Sequence, residues 1–146
     1  TGGFLTDLRK WDRFDPATFA QYVLQTPLPG SPSDRRVLLQ FGLGDAEVPN
    51  VSSLLHARLL RLPVLGPASL VPFEMDTVSS PHDGSAACVY DFKLDAAALY
   101  ANALPPPEDN LVHGAVRELE AALSQMEHFY TTGRVMNACD GACDPE

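Results

Sequence analysis

The chain has 146 residues, 45% of them hydrophobic, which is enough for one domain with a core of its own. Nineteen acidic residues against ten basic ones give a formal charge of −9, and the basic residues are scattered apart from the adjacent Arg35 and Arg36, so the electrostatic footprint of a nucleic-acid or anionic-lipid binder is excluded. No apolar run approaches the ~20 residues that a membrane-spanning helix needs, and the first residues lack the charged and apolar regions of a signal peptide. Thr1 in place of Met is read as a start inside a longer precursor or after cleavage.

Taken in chain order, Asp15-Pro16 opens the first predicted helix, with Asp as N-cap and Pro at the first helical position. Phe19, Tyr22 and Val23 follow at helical spacing, and the proline-rich stretch after Thr26 ends the helix near residue 24. Val37, Leu38, Leu39 and Phe41 then make a short apolar run, as expected of a strand covered on both faces in a parallel sheet. Gly42 and Gly44 allow a sharp turn, which offers Asp45 at the carboxyl edge of that sheet before Val48-Pro49 closes it. From an Asn50 cap, Val51, Leu54, Leu55 and Leu59 predict a second helix to about residue 61.

Residues 62–85 carry Pro63, Pro67, Pro72 and Pro81, so short edge strands or an excursion loop are expected there, with a turn at His82-Asp83-Gly84. Residues 86–92 read as the second strand, and residues 94–110, with Pro105, Pro106 and Pro107, as a loop. A last helix runs from Asn110 or Leu111 to about residue 131, with Val112, Val116, Leu119, Leu123, Met126 and Tyr130 as its apolar stripe, and Gly133 stops it. Strands alternating with helices make the chain an α/β protein.

The three cysteines differ in meaning. Cys139 and Cys143 lie close together with Gly141 between them, which favours a small disulfide loop in the tail and with it an oxidising, extracytoplasmic compartment. Zinc is the competing reading, but no second ligand pair and no histidine lie nearby. Cys88, inside the second strand, is expected to be a buried, inert thiol.

Asp45 and His113 are the candidate catalytic residues. One follows a strand, and the other opens the helix after a later strand. A carboxylate that accepts a bond from one imidazole nitrogen fixes the tautomer and frees the other nitrogen as a general base. The bland alternatives are an Asp45 that caps its own turn by accepting backbone N–H bonds, and a His113 that caps its helix or sits satisfied in the core. His56 and His128 fall inside helices, and His82 in a solvated turn.

The stretch Gly42-Leu-Gly-Asp45-Ala-Glu-Val-Pro49, after Val-Leu-Leu-Gln-Phe, resembles the acid-bearing loop of α/β-hydrolases, and His113 resembles their histidine. The family's chain order is nucleophile, acid, histidine. The resemblance therefore implies the C-terminal part of such a fold, residues 1–133, with the last strands of a parallel sheet and flanking helices. Residues 134–146 form a tail with a small disulfide loop. The tail is also similar to that of secreted bacterial lipases and esterases.

The resemblance implies hydrolysis of an ester or lipid without a metal or other cofactor. No Gly-x-Ser-x-Gly elbow and no glycine-rich oxyanion loop occur in the sequence. The nucleophile is therefore expected on the N-terminal part of the same enzyme or on a companion chain. Residues 62–85 and 94–110 would be insertions forming a lid or substrate wall. A sheet severed from its neighbours exposes an edge that binds the rest of the enzyme or a second copy of the chain. Two other readings stand beside this one. The first is a noncatalytic interaction or structural module with a hydrolase-like fold; the second is an N-terminal-nucleophile hydrolase using Thr1.

Overall fold

The computed structural model describes residues 12–94 and 108–144. Thr1 and the proline cluster Pro105–Pro107 lie outside them. After a 3-10 turn at Asp12–Phe14 come α1 (Pro16–Phe19) and α2 (Gln21–Leu24), then β1 (Leu38–Gly42), α3 (Asn50–Leu59), β2 (Val64–Gly66), β3 (Thr77–Ser79), β4 (His82–Asp83), β5 (Ala86–Tyr90), α4 (Val112–Glu118), α5 (Glu120–Thr132) and β6 (Arg134–Val135).

The main sheet has four strands in the order β1-β5-β2-β3, all parallel. A small antiparallel pair joins β4 to β6. The alternation along β5 explains the layering. Ala86, Cys88 and Tyr90 point to one face, where they meet Val116 of α4, Ala122 of α5 and the tail residues Val135 and Cys143. Ala87 and Val89 point to the other, where Phe41, Ala57 of α3, Leu62 and Val64 complete a second cluster. The fold is thus a small α/β/α arrangement around a parallel sheet, as the strand and helix alternation predicts.

Several boundaries differ from expectation. The first helix is divided at the buried Ala20, where the chain takes i→i−3 bonds (Ala20 N to Ala17 O and Val23 N to Ala20 O). The last helix is broken at Leu119, whose ψ of 122° is extended. That break rotates the buried stripe: α5 turns Ala122 and Gln125 inward, whereas Leu123 and Tyr130 are exposed. In α3 the buried residues are Asn50, Ser53 and Ala57; of the anticipated apolar face Leu54 packs against the core and Leu59 is half-buried, while Val51 and Leu55 are exposed.

Of the two expectations for residues 62–85 the short strands hold: β2 and β3 extend the sheet beyond β5, on the side away from β1, with β3 at its edge. His82 belongs to a strand pair with Val135 and is half-buried. The tail packs on the sheet: Asp91 N donates to Cys143 O at 2.8 Å, and Cys139 and Cys143 form a disulfide with Cα atoms 5.3 Å apart. Among the described residues no helix is long and apolar enough to cross a membrane.

Candidate active site

β1 and β5 run side by side in register from Leu38 opposite Ala86 to Gly42 opposite Tyr90, so both end at the same edge of the sheet. Asp45 stands just beyond β1, and the chain leaving β5 returns to that edge as α4, which carries His113 in its first turn. Residues 68 apart in sequence therefore converge. His113 Nδ1 lies 2.8 Å from Asp45 Oδ2, with the carboxylate side chain 8% exposed and the imidazole 20%.

The turn that presents Asp45 is held by side-chain amides. Asn50 accepts from Gly44 N at 2.7 Å and donates to Gly42 O at 2.7 Å. Asn50 is the first helical residue, with Pro49 at the cap position, so its side chain clamps the acid turn instead of capping α3. Asn110 donates to Gly44 O at 2.7 Å, which ties the segment before His113 to the segment before Asp45. Sequence reasoning gave both asparagines only helix-start roles. Their positions just after the acid and just before the histidine were the available signal.

Asp45 does two jobs. Its Oδ1 accepts from Glu47 N at 2.8 Å and Val48 N at 2.9 Å, the turn-capping role expected of an Asp in a loop. Its Oδ2 receives the Nδ1–H of His113. The capping and orienting readings thus describe the two oxygens of one group.

Gly42 sets the approach of α4. A Cβ there would collide with Val112 Cγ1 and come within 3.1 Å of Phe92 and Val116. Leu111, the residue before α4, adopts the left-handed region at φ 62° and is 72% exposed, and Leu111 N donates to Asp109 Oδ1 at 2.8 Å. This conformation delays the helix start to Val112.

The other imidazole nitrogen, Nε2, receives an N–H from Arg117. Arg117 lies one turn on, where i and i+4 side chains are neighbours on a helix. Both contacts are satisfied together by the tautomer with its proton on Nδ1. Arg117 was missed in the sequence, although its four-residue spacing from His113 was visible.

A cavity of about 310 Å³ opens here between β1, α3 and α4, with Leu39, Phe41 and Val48 on its wall beside Asp45, His113 and Arg117. Ser52, Ser53 and His56 also line it. Neither serine hydroxyl is hydrogen-bonded to His113, and both serines lie within α3, without the strand and sharp turn that expose a nucleophile. His56 Nδ1 contacts Ser52 O of its own helix at 3.2 Å.

Away from this cavity, burial pushes the Cys88 thiol up to about 12, a hydrogen bond with Gln125 opposing it only in part. Cys88 is therefore no thiolate nucleophile near neutral pH. Among the described residues no three His, Cys, Asp or Glu side chains gather as a metal site. Compared with known proteins, the chain matches no family model, no curated protein and no solved structure.

Proposed function

We propose that Asp45 and His113 are the acid and the base of a serine hydrolase of the α/β-hydrolase type, acting on carboxylic esters or lipids, with the nucleophile contributed from outside these 146 residues. The observation that carries this reading is the 2.8 Å contact from His113 Nδ1 to Asp45 Oδ2 at the shared end of two adjacent parallel strands. A noncatalytic module has no need of a carboxylate and an imidazole brought together there from positions far apart in the chain.

In this reading Nε2 takes the proton from the nucleophile's hydroxyl as its oxygen attacks the ester carbonyl. The same proton then goes to the departing alkoxide, leaving an acyl-enzyme. A water molecule repeats the sequence, its proton passing through Nε2 and its hydroxide releasing the acid. Asp45 stays ionised throughout, holding the Nδ1–H tautomer and stabilising the imidazolium each time it forms. The chemistry calls for no metal or other cofactor.

The partner is the N-terminal part of the same enzyme or a companion chain. β1 is the outer strand of the sheet and pairs only with β5 among the described residues. Nearby α3 turns Val51 and Leu55 to solvent at 54% and 48% exposure. An edge strand with apolar residues beside it is a surface for continuing the sheet. A second copy of the chain is the other occupant that would satisfy it. The disulfide Cys139–Cys143 supports a secreted or extracytoplasmic setting.

One observation favours the noncatalytic reading: Arg117 occupies the nitrogen that the base would use. The two readings part on a labelling experiment. The coding region is expressed together with its upstream residues and treated with a fluorophosphonate. Labelling of one upstream serine, lost in His113→Ala, is the expected result. An extended protein with no labelled serine and no ester turnover removes the upstream nucleophile, and no labelled serine in any chain that co-purifies with it leaves the noncatalytic module in its place.

A further inference from the structure

Arg117 has a property that the acid and base pair does not require. The chain carries nineteen acidic residues against ten basic ones, yet Arg117 forms no ion pair with a carboxylate among the described residues. Its contact is with a neutral acceptor, His113 Nε2. A guanidinium has five N–H donors in a planar fork suited to two carboxylate oxygens at once. One nitrogen of a neutral ring is a weaker partner than that.

The surroundings fit the same ligand chemistry. The cavity beside Arg117 has a volume of about 310 Å³, near the lower bound for a small-molecule pocket. Its wall is apolar at Leu39, Phe41, Val48 and Val116. The carboxylate of Asp45 instead accepts from His113, Glu47 N and Val48 N.

We propose that Arg117 is a specificity-determining residue that binds the carboxylate of a small ligand whose apolar body lies in this cavity. The proposal rests on the reading that His113 faces a substrate here. Binding gives the guanidinium a charged, bidentate partner and draws its N–H away from Nε2. Ligand recognition and release of the base's lone pair then become one event. The carboxylate has two sources: the acid released by ester hydrolysis, or an acid group carried by the ester itself.

The test titrates the full chain with butanoate and with its neutral counterpart butanamide, following the ¹⁵N resonances of His113. Butanoate is expected to bind about tenfold more tightly, in line with the strength of charge-assisted hydrogen bonds. It should also move Nε2 toward the position of an unbonded, pyridine-type nitrogen. Arg117→Ala should abolish the preference and leave Nε2 at that position without ligand, and Arg117→Lys should keep part of the preference. Equal binding of the two probes, no saturable binding of either, or a preference that survives Arg117→Ala overturns the proposal.

In the upstream-extended protein, hydrolysis of methyl butanoate and monomethyl succinate distinguishes the sources. Inhibition by butanoate without preference between the esters indicates the product acid. An Arg117-dependent preference for monomethyl succinate indicates the substrate's own carboxylate. Esterase activity that depends on His113 without any anion preference removes the subsite alone. Anion preference in a protein without esterase activity removes the hydrolase reading alone.

Discussion

Gly42 leaves no room for a side chain against Val112, and this contact places the helix that carries His113. Val112 precedes His113 directly, so anything that lifts Val112 from β1 also lifts the imidazole from Asp45. Gly42→Ala is expected to cost about 1–3 kcal/mol in urea unfolding, the range for overpacking a tight contact. If the proposed hydrolase activity holds in the upstream-extended protein, the same change should lower kcat by about 100-fold, the penalty for misplacing a catalytic group by about 1 Å. Wild-type kcat in a Gly42→Ala variant of reduced stability would show that α4 shifts without carrying His113 away.

Leu111 holds a left-handed conformation that a leucine adopts at a cost of about 1–2 kcal/mol, and its side chain is 72% exposed. Glycine accepts that geometry but loses more freedom on folding, by roughly 0.5–1 kcal/mol. Leu111→Gly should therefore leave stability unchanged or raise it by up to about 1.5 kcal/mol. Leu111→Ile, β-branched at positive φ, should lower it. Equilibrium urea unfolding of both variants checks this, and a glycine variant clearly less stable than wild type would contradict it.

Burial raises the Cys88 thiol from 9.0 to about 12, and burial also raises the Tyr90 hydroxyl above its ordinary 10.0. Both acids keep their protons in the fold at pH values where the unfolded chain loses them. Stability from these groups is therefore intact below pH 9 and falls as pH rises through 9 to 12. The slope approaches about 1.4 kcal/mol per pH unit for each group fully in its window. Below that window, the thiol should ignore a disulfide reagent at pH 8 in the folded chain and react once per chain in denaturant. Rapid reaction of the folded protein would contradict the burial of Cys88.

Much of this was legible in the sequence where local chemistry decides. The apolar run through Leu38 and Phe41, the turn at Gly44 and the carboxylate of Asp45 follow from residue type alone, as does the Cys139–Cys143 disulfide. Asp45 and His113 were nameable as a pair because each follows a strand. Their distance was not, since it depends on β1 lying next to β5, a non-local pairing.

Helical periodicity misled in α3 and α5. It assumed that every apolar stripe faces this chain's own core, whereas Val51, Leu55, Leu123 and Tyr130 are exposed. The break at Leu119 was equally hidden, because leucine is a good helix former and only tertiary packing turns it extended. Gln125 shows the converse. It is 1% exposed because its amide accepts from Gln40 and Tyr90 and donates to Met136 O, a network that no sequence pattern announces.

His113, oriented by Asp45, is proposed as the base of an ester hydrolase. The most direct measurement is the rate of p-nitrophenyl butanoate hydrolysis by the upstream-extended protein and its Asp45→Asn and His113→Ala variants. Both variants should fold as the parent does by circular dichroism. Losses in kcat on the order of 10⁴-fold are expected for Asp45→Asn, which removes the charge that fixes the tautomer, and at least as large for His113→Ala. An extended protein that hydrolyses the ester equally fast with His113 replaced by alanine would contradict that role.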